Sequence, residues 1–448
     1  MSRKHPSDDE LDRFMRAALD SKDDSKRVVR HLLRGCNSCA TSCRRRPTLR
    51  LVTNYDKEFE RAELASILIE SGIETERRTG AQLWELLAPR APQTRLLVVR
   101  NNRRFQNWGL YQHVMGKVRP LARKDPFAAV DLAHLAVTIA CHINEDDYGS
   151  ERVQDFKGAA YGMLGFAMRN AGDFAGANSA FELAGDELKS GTGDPIEDAM
   201  LAVNIASLLL ALGELDAAIK LLNSAIRLFR RAGDFHGMGL TFIQQAHVFS
   251  QTAKPELGLF RAEKGLGLID LDKQPYAELS GRDAMAWCYN AIGDHEEALS
   301  IVYTYDHLYR RFEDEPAIWG KREWILGRIG AGRRDFDAAL SHLANAYEIF
   351  LKAFQYFDAV LVALDRIEML IYIRRSEEAI RIAERLYPLL RRWGLKGDSL
   401  RLWEMMTSSI ETGDFLAKKY SLTLAEHLRK NWIPRPTGAD FRRSHQRY

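Results

Sequence analysis

From about residue 105 to residue 432 a short pattern returns at a near-constant interval. A glycine, an acidic residue and a hydrophobic residue are followed shortly by an alanine. The copies are Ala171-Gly172-Asp173-Phe174 with Ala177, Leu212-Gly213-Glu214-Leu215 with Ala218, and Ile292-Gly293-Asp294 with Ala298. Arg334-Asp335-Phe336 with Ala339 is a variant, and Lys254-Pro255-Glu256 and Arg375-Ser376-Glu377 with Ala379 are weaker ones. The alanines stand 41, 80, 41 and 40 residues apart, the interval of 80 covering two units, the middle one degenerate near Leu259. A period near 40 accommodates two helices of several turns joined by a tight turn. Glycine closes the first helix because it takes the left-handed conformation cheaply, and the acidic residue favours the start of the second. The alanine leaves room for helices to approach closely. Such a unit cannot bury its apolar face alone, so the copies must stack on their neighbours.

This pattern resembles the tetratricopeptide (TPR) repeat with helices longer than usual. HEAT-like repeats share the period, but the G-[DE]-[FL]-x-x-A signature favours TPR. The resemblance implies an all-α fold, a TPR-like right-handed α-solenoid of seven or eight hairpins over residues 105–432. Its first hairpin is expected from Phe105–Val118 and a helix opened by Asp125-Pro126, with proline in the first turn. Its last hairpin follows Gly397 and turns at Gly413-Asp414-Phe415. Residues 46–104 read as a helical linker, with helices at Glu60–Gly72 and Thr79–Leu87 and either a strand or another helix at Arg95–Arg100. Residues 433–448, with two prolines and four arginines, read as a disordered basic tail.

The first 45 residues differ in kind. Ser7-Asp8-Asp9-Glu10 is a capping box ahead of an apolar stripe of Leu11, Phe14, Met15 and Ala18. Ser21 with Asp24 starts a second helix, buried through Val28, Val29, Leu32 and Leu33 and ended by Gly35. Two short helices bury little surface, and a metal would supply the missing stability. His31 falls on the last turn of the second helix, Cys36-x2-Cys39 forms a knuckle, and His5 precedes the first helix. If the helices pack antiparallel, His5, His31, Cys36 and Cys39 can surround one structural zinc ion, for which two thiolates and two neutral imidazoles are suited. A redox role for the CxxC pair would call for an α/β setting. His5 alone could be an ordinary surface histidine.

These residues resemble the zinc-binding fold of bacterial anti-sigma factors, which carries an early His, a helix pair and then His-x3-Cys-x2-Cys. In this chain four residues separate His31 from Cys36. The extra residue can be absorbed around Gly35, or can let Cys43 replace His5 or His31. The resemblance implies a sigma factor or similar transcription protein as partner of this module. The joining of such a module to helical repeats is similar to that in uncharacterised bacterial TPR proteins, which implies an architecture and no activity.

Charge and motif content narrow the functional classes. The net charge of +3 is uneven: residues 1–50 carry thirteen Lys/Arg against seven Asp/Glu, and residues 433–448 carry four arginines against one aspartate. The stretch between them is acidic, which disfavours a nucleic-acid track along the array. No apolar run approaches the ~20 residues of a membrane helix, the longest candidate being Ile205–Leu212, and the polar start MSRKHPSDDELDRF has no h-region. A cytoplasmic protein without a membrane partner is therefore expected. Of five cysteines, Cys141 and Cys288 fall in apolar helical patterns and read as buried packing. No P-loop, dinucleotide fingerprint, HExxH or nucleophile elbow is present, so an enzyme is not expected. His134 and His142 read as surface or groove residues. The paired arginines Arg230-Arg231, Arg310-Arg311, Arg374-Arg375 and Arg391-Arg392 complement helix C-termini. Trp287, Trp319, Trp324, Trp393 and Trp403 read mostly as core, with some available to the concave face. The expected function is a regulatory adaptor that binds a protein or peptide in the TPR groove and a transcription protein at the zinc module. A plain TPR scaffold with a purely structural zinc module stands second, and a nucleic-acid binder using the basic termini third.

Overall fold

The computed structural model describes residues 5–15, 24, 27, 28, 31, 73–392, 398–412 and 416–431. Among the described residues all regular structure is helical and no strand occurs. Cys36, Cys39, Cys43, Trp393, the Gly413-Asp414-Phe415 turn and the tail 433–448 lie outside them.

Among the described residues eight helical hairpins follow one another: Trp108–Lys124 with Pro126–Ala140, Ser150–Asn170 with Phe174–Lys189, Pro195–Ala211 with Leu215–Ala232, Phe235–Phe249 with Pro255–Leu266, Pro275–Ile292 with His295–Thr304, Pro316–Gly332 with Phe336–Lys352, Tyr356–Tyr372 with Ser376–Arg392, and Asp398–Glu411 with Leu416–Asn431. The repeat pattern does in space what its chemistry implies. Gly172, Gly213 and Gly293 all have positive φ, at 81°, 77° and 97°. Asp173, Asp294 and Asp335 cap the second helices by accepting the amides of Gly176, Glu297 and Ala338. Ala177, Ala218, Ala298, Ala339 and Ala379 are all fully buried. In the degenerate fourth unit the small residue is Gly258, one position before the expected Leu259. A Cβ there would press on the Cys288 sulfur of the next hairpin, so even alanine would be crowded. In the sixth and seventh units Arg334 and Arg374 occupy the left-handed turn position, with φ of 61° and 60°.

The first hairpin starts three residues later than its sequence suggests. A short 3-10 turn covers Arg103–Phe105, and Asn107 then caps the helix by accepting the amide of Leu110. Asp125 and Pro126 open the second helix as expected. Ahead of this hairpin, residues 73–87 and Pro92–Asn101 are both helical. Leu83, Leu87 and Val99 share one core with Leu110, Val114, Leu132 and Ile139. Gly80 and Gly109 sit at the crossing of the 73–87 helix with Trp108–Lys124, and a Cβ on either would fall on the other helix's backbone. Cys288 is buried, but Cys141 caps the end of its helix and is exposed, because the apolar pattern stops at Ala140. No helix among the described residues is long and apolar enough to cross a membrane.

The stacking direction identifies the inner side. From the first hairpin to the sixth, the first helices of consecutive hairpins touch one another, whereas the second helices make no comparable contact among themselves. The first helices therefore lie on the tighter, concave side. The curvature is strong enough that Pro316–Gly332 of the sixth hairpin returns to Trp108–Lys124 of the first. Phe174 of the second hairpin meets Phe357 of the seventh, edge to face at 4.9 Å between centroids. One core consequently joins Phe174, Ala177, Phe181 and Leu208 to residues between Ala339 and Leu428.

Candidate functional site

The inner face is built from polar side chains on the first helices, bonded from one hairpin to the next. Asn204 Nδ2 donates to the Gly162 carbonyl at 3.4 Å, and Gln244 Nε2 donates to the Val203 carbonyl at 3.1 Å. His247 Nε2 and Ser280 Oγ are 3.1 Å apart. Trp324 Nε1 donates to Asp365 at 2.7 Å, and Arg328 reaches the same carboxylate at 3.0 Å. Several of these links join residues 41 or 42 apart, the repeat period itself. Trp287 and Trp324 meet edge to face at 5.8 Å between centroids.

Where the array returns on itself, opposite helix ends meet. Arg123, in the last turn of its helix, forms a two-pronged ion pair with Glu315, which precedes the Pro316–Gly332 helix. Lys124 pairs with Asp314. The Arg123 guanidinium also lies 4.2 Å from the centroid of the Tyr276 ring. Basic groups at helix C-termini and acidic groups at helix N-termini each complement the local dipole, so the contact is favoured on both sides.

Protein surrounds many of these groups, and their proton affinities shift accordingly. Burial, reinforced by the Lys321 ammonium, pushes the His247 imidazole down to about 4. Burial pushes the Asp283 carboxyl up to about 6, opposed by the hydrogen bond from Tyr309 and by Lys321 and Arg322. Burial lowers Arg119 to about 10, with Arg169 and Arg123 pushing the same way and Tyr276 opposing them. At neutral pH His247 is therefore uncharged and Arg119 remains a cation.

At the N-terminal end, the capping box forms as its sequence implies: the Ser7 amide donates to Glu10 at 2.8 Å, and the Glu10 amide donates to Ser7 Oγ at 3.1 Å. Glu10 also pairs with Arg27, and Leu11 and Val28 are buried. His5 Nδ1 and His31 Nε2 stand 3.2 Å apart although 26 residues separate them in sequence. Two of the four expected ligand residues are thus adjacent; Cys36 and Cys39 fall outside the described residues. Among the described residues no group of three or more His, Cys, Asp or Glu is arranged to hold a metal. His142, in the turn just past the Pro126–Ala140 helix, bonds the Thr138 carbonyl of that helix at 2.8 Å, and burial lowers the pKa of His134. Of the tryptophans, Trp403 is core, while Trp324 belongs to the inner face.

Arg119, Arg123, Asn204, Gln244, His247, Asp283, Glu315 and Asp365 were not legible as a set from sequence alone. The available signal was polar residues on the otherwise apolar first helices, spaced by the same 40 residues as the turns.

No protein-family model matches the chain, and no curated protein matches it in sequence. Among solved structures, the crystal structure of Rap protein complexed with competence and sporulation factor is similar, with a TM-score of 0.56 at 13% sequence identity. The similarity covers 71% of this chain and 87% of that one. At this identity the likeness concerns the fold alone: a TPR-like array of stacked helix pairs.

Proposed function

We propose that the chain is a cytoplasmic regulatory adaptor that works by binding, its inner face receiving a segment of another protein or a peptide. The observation that carries this reading is the polar ladder on the first helices. Hydrogen bonds from hairpin to hairpin hold these polar side chains in place, and a fixed, polar concave surface of this kind suits an extended chain. The similar Rap structure holds competence and sporulation factor, which agrees with an array of this fold taking a partner.

The N-terminal module supplies a second contact. His5 and His31, with Cys36 and Cys39, would hold one structural zinc ion, and the adjacency of the two imidazoles supports that set. The module's likeness to anti-sigma factors makes a sigma factor or another transcription protein its partner. Zinc analysis of the purified chain tests the metal: one zinc per chain is expected, lost when Cys36 and Cys39 are both changed to Ser. Co-purification with and without residues 1–45 tests the partnership. Loss of a transcription protein on deletion supports the adaptor, whereas unchanged binding of every partner makes the module a structural appendage.

A further inference from the structure

Three guanidiniums converge on the inner face where the array returns on itself, and among the described residues only Arg123 hydrogen-bonds a carboxylate. Arg123 has Glu315. Arg119 lies over the Phe166 ring, 4.4 Å from its centroid, and its one hydrogen bond goes to the neutral Asn204 Oδ1 at 3.1 Å. Arg169 approaches the same ring at 5.7 Å and donates to the amide oxygen of its chain neighbour Asn170 at 3.1 Å. Its Nε is buried with no hydrogen-bond partner. Asp358 faces Arg169 without a hydrogen bond, and it also faces Lys321, so its single charge is shared between two cations.

A half-buried guanidinium without a carboxylate is costly unless something offsets it. Packing does not need this one. A neutral side chain of similar length, such as glutamine, could cover Phe166 and still donate to Asn204 Oδ1. Arginine is distinguished from such substitutes by its planar fork of donors, which fits a carboxylate with two parallel hydrogen bonds. We propose that Arg119 and Arg169, set against Phe166, form an anion subsite of the inner face, and that the bound segment presents a carboxylate to it. The proposal rests on the groove reading above and adds the chemistry of the occupant. A carboxylate fits better than a phosphate because Glu315, Asp283, Asp358 and Asp365 already line this face and repel a doubly charged group more strongly. The carboxylate belongs either to an acidic side chain or to the free C-terminus of a peptide.

Immobilised full-length protein is offered four pools of synthetic random hexapeptides. The pools contain either Asp and Glu or Asn and Gln, each with a free or an amidated C-terminus, and retained peptide is quantified by mass spectrometry. Any pool carrying the recognised carboxylate should be retained at least about tenfold over the neutral amidated pool, as expected for a charge-assisted hydrogen bond. Preference that follows Asp and Glu assigns the subsite to a side chain, and preference that follows the free terminus assigns it to a C-terminus. Arg119→Gln with Arg169→Gln should equalise the pools, while Arg119→Lys should keep part of the preference. The melting temperature of Arg119→Gln should be unchanged, since glutamine can still cover Phe166 and donate to Asn204 Oδ1, which separates a lost subsite from a lost fold. Equal retention of all four pools by the unaltered chain, or a preference that survives the double substitution, overturns the subsite and leaves the groove reading standing. Retention of no pool overturns both.

Discussion

The Arg123–Glu315 pair should be worth more than its surface counterparts, because it closes the array across 192 residues of sequence. Glu315 is nearly buried, its side chain 8% exposed, and Arg123 is 19% exposed. Removing one member of a buried pair typically costs about 3–5 kcal/mol, since the other charge is left uncompensated, whereas replacing both is close to neutral. Arg123 retains some solvent and keeps its contact with Tyr276, so the lower end applies: about 3 kcal/mol for Glu315→Gln or Arg123→Met. The double variant should recover most of that loss, costing about 1 kcal/mol in all, so a double-mutant cycle should report a coupling of about 5 kcal/mol. An eight-hairpin array need not unfold in one step, so the assay is local. Hydrogen exchange of the Trp108–Lys124 and Pro316–Gly332 amides should accelerate in each single variant and return towards normal in the double one. Small-angle scattering should report a larger radius of gyration for the singles. Single variants with unchanged exchange, or costs that simply add, would refute a closure held by this pair.

Arg334→Gly and Arg374→Gly should each stabilise the chain by about 1 kcal/mol, because both arginines hold left-handed backbone that glycine adopts without penalty; urea unfolding of each variant checks this. His247 is neutral in the fold with its pKa near 4, against about 6.5 when unfolded. The unfolded chain therefore binds the extra proton first as pH falls, and the stability contributed above pH 6.5 is lost progressively towards pH 4. Between pH 7 and pH 5 His247→Gln should gain about 2 kcal/mol relative to the unaltered chain, measured by denaturant unfolding at both pH values. Gly109→Ala should force the 73–87 helix off the first hairpin, since its Cβ would meet the Glu76 backbone; loss of exchange protection confined to residues 73–101 is the expected signature.

The turns were legible because they are made locally. Gly172, Gly213 and Gly293 are selected by backbone sterics, and Asp173 and Asp294 by capping, so each announces its structure within four residues. The buried alanines followed from the same register. The weak copies show where the rule bends: Arg334 and Arg374 stand where glycine belongs, and Gly258 stands where alanine belongs. The helix start at Trp108 was misplaced because Asn107 provides a cap that the apolar pattern around Phe105 obscures. The run Leu96-Leu97-Val98-Val99 left strand and helix open, since a short apolar run does not distinguish them; Pro92 at the first turn decides for the helix. The inner face was hidden for a different reason. Arg123 and Glu315, or Arg119 and Asn204, are brought together by the accumulated curvature of the array, and no local pattern encodes that angle. His5 and His31 are the opposite case: metal-ligand chemistry suggested the pair, and the two imidazoles are adjacent.

The proposed adaptor receives its partner on the inner face. A photo-crosslinking residue placed at Tyr276, which is 38% exposed on a first helix, should capture the partner that co-purifies with the full chain. The same residue at Phe260, 56% exposed on the second helix of the fourth hairpin, should not capture it. Adducts to that partner at 276 and none at 260 are the predicted result. Adducts at 260 with none at 276 would place binding on the outer surface and overturn the groove.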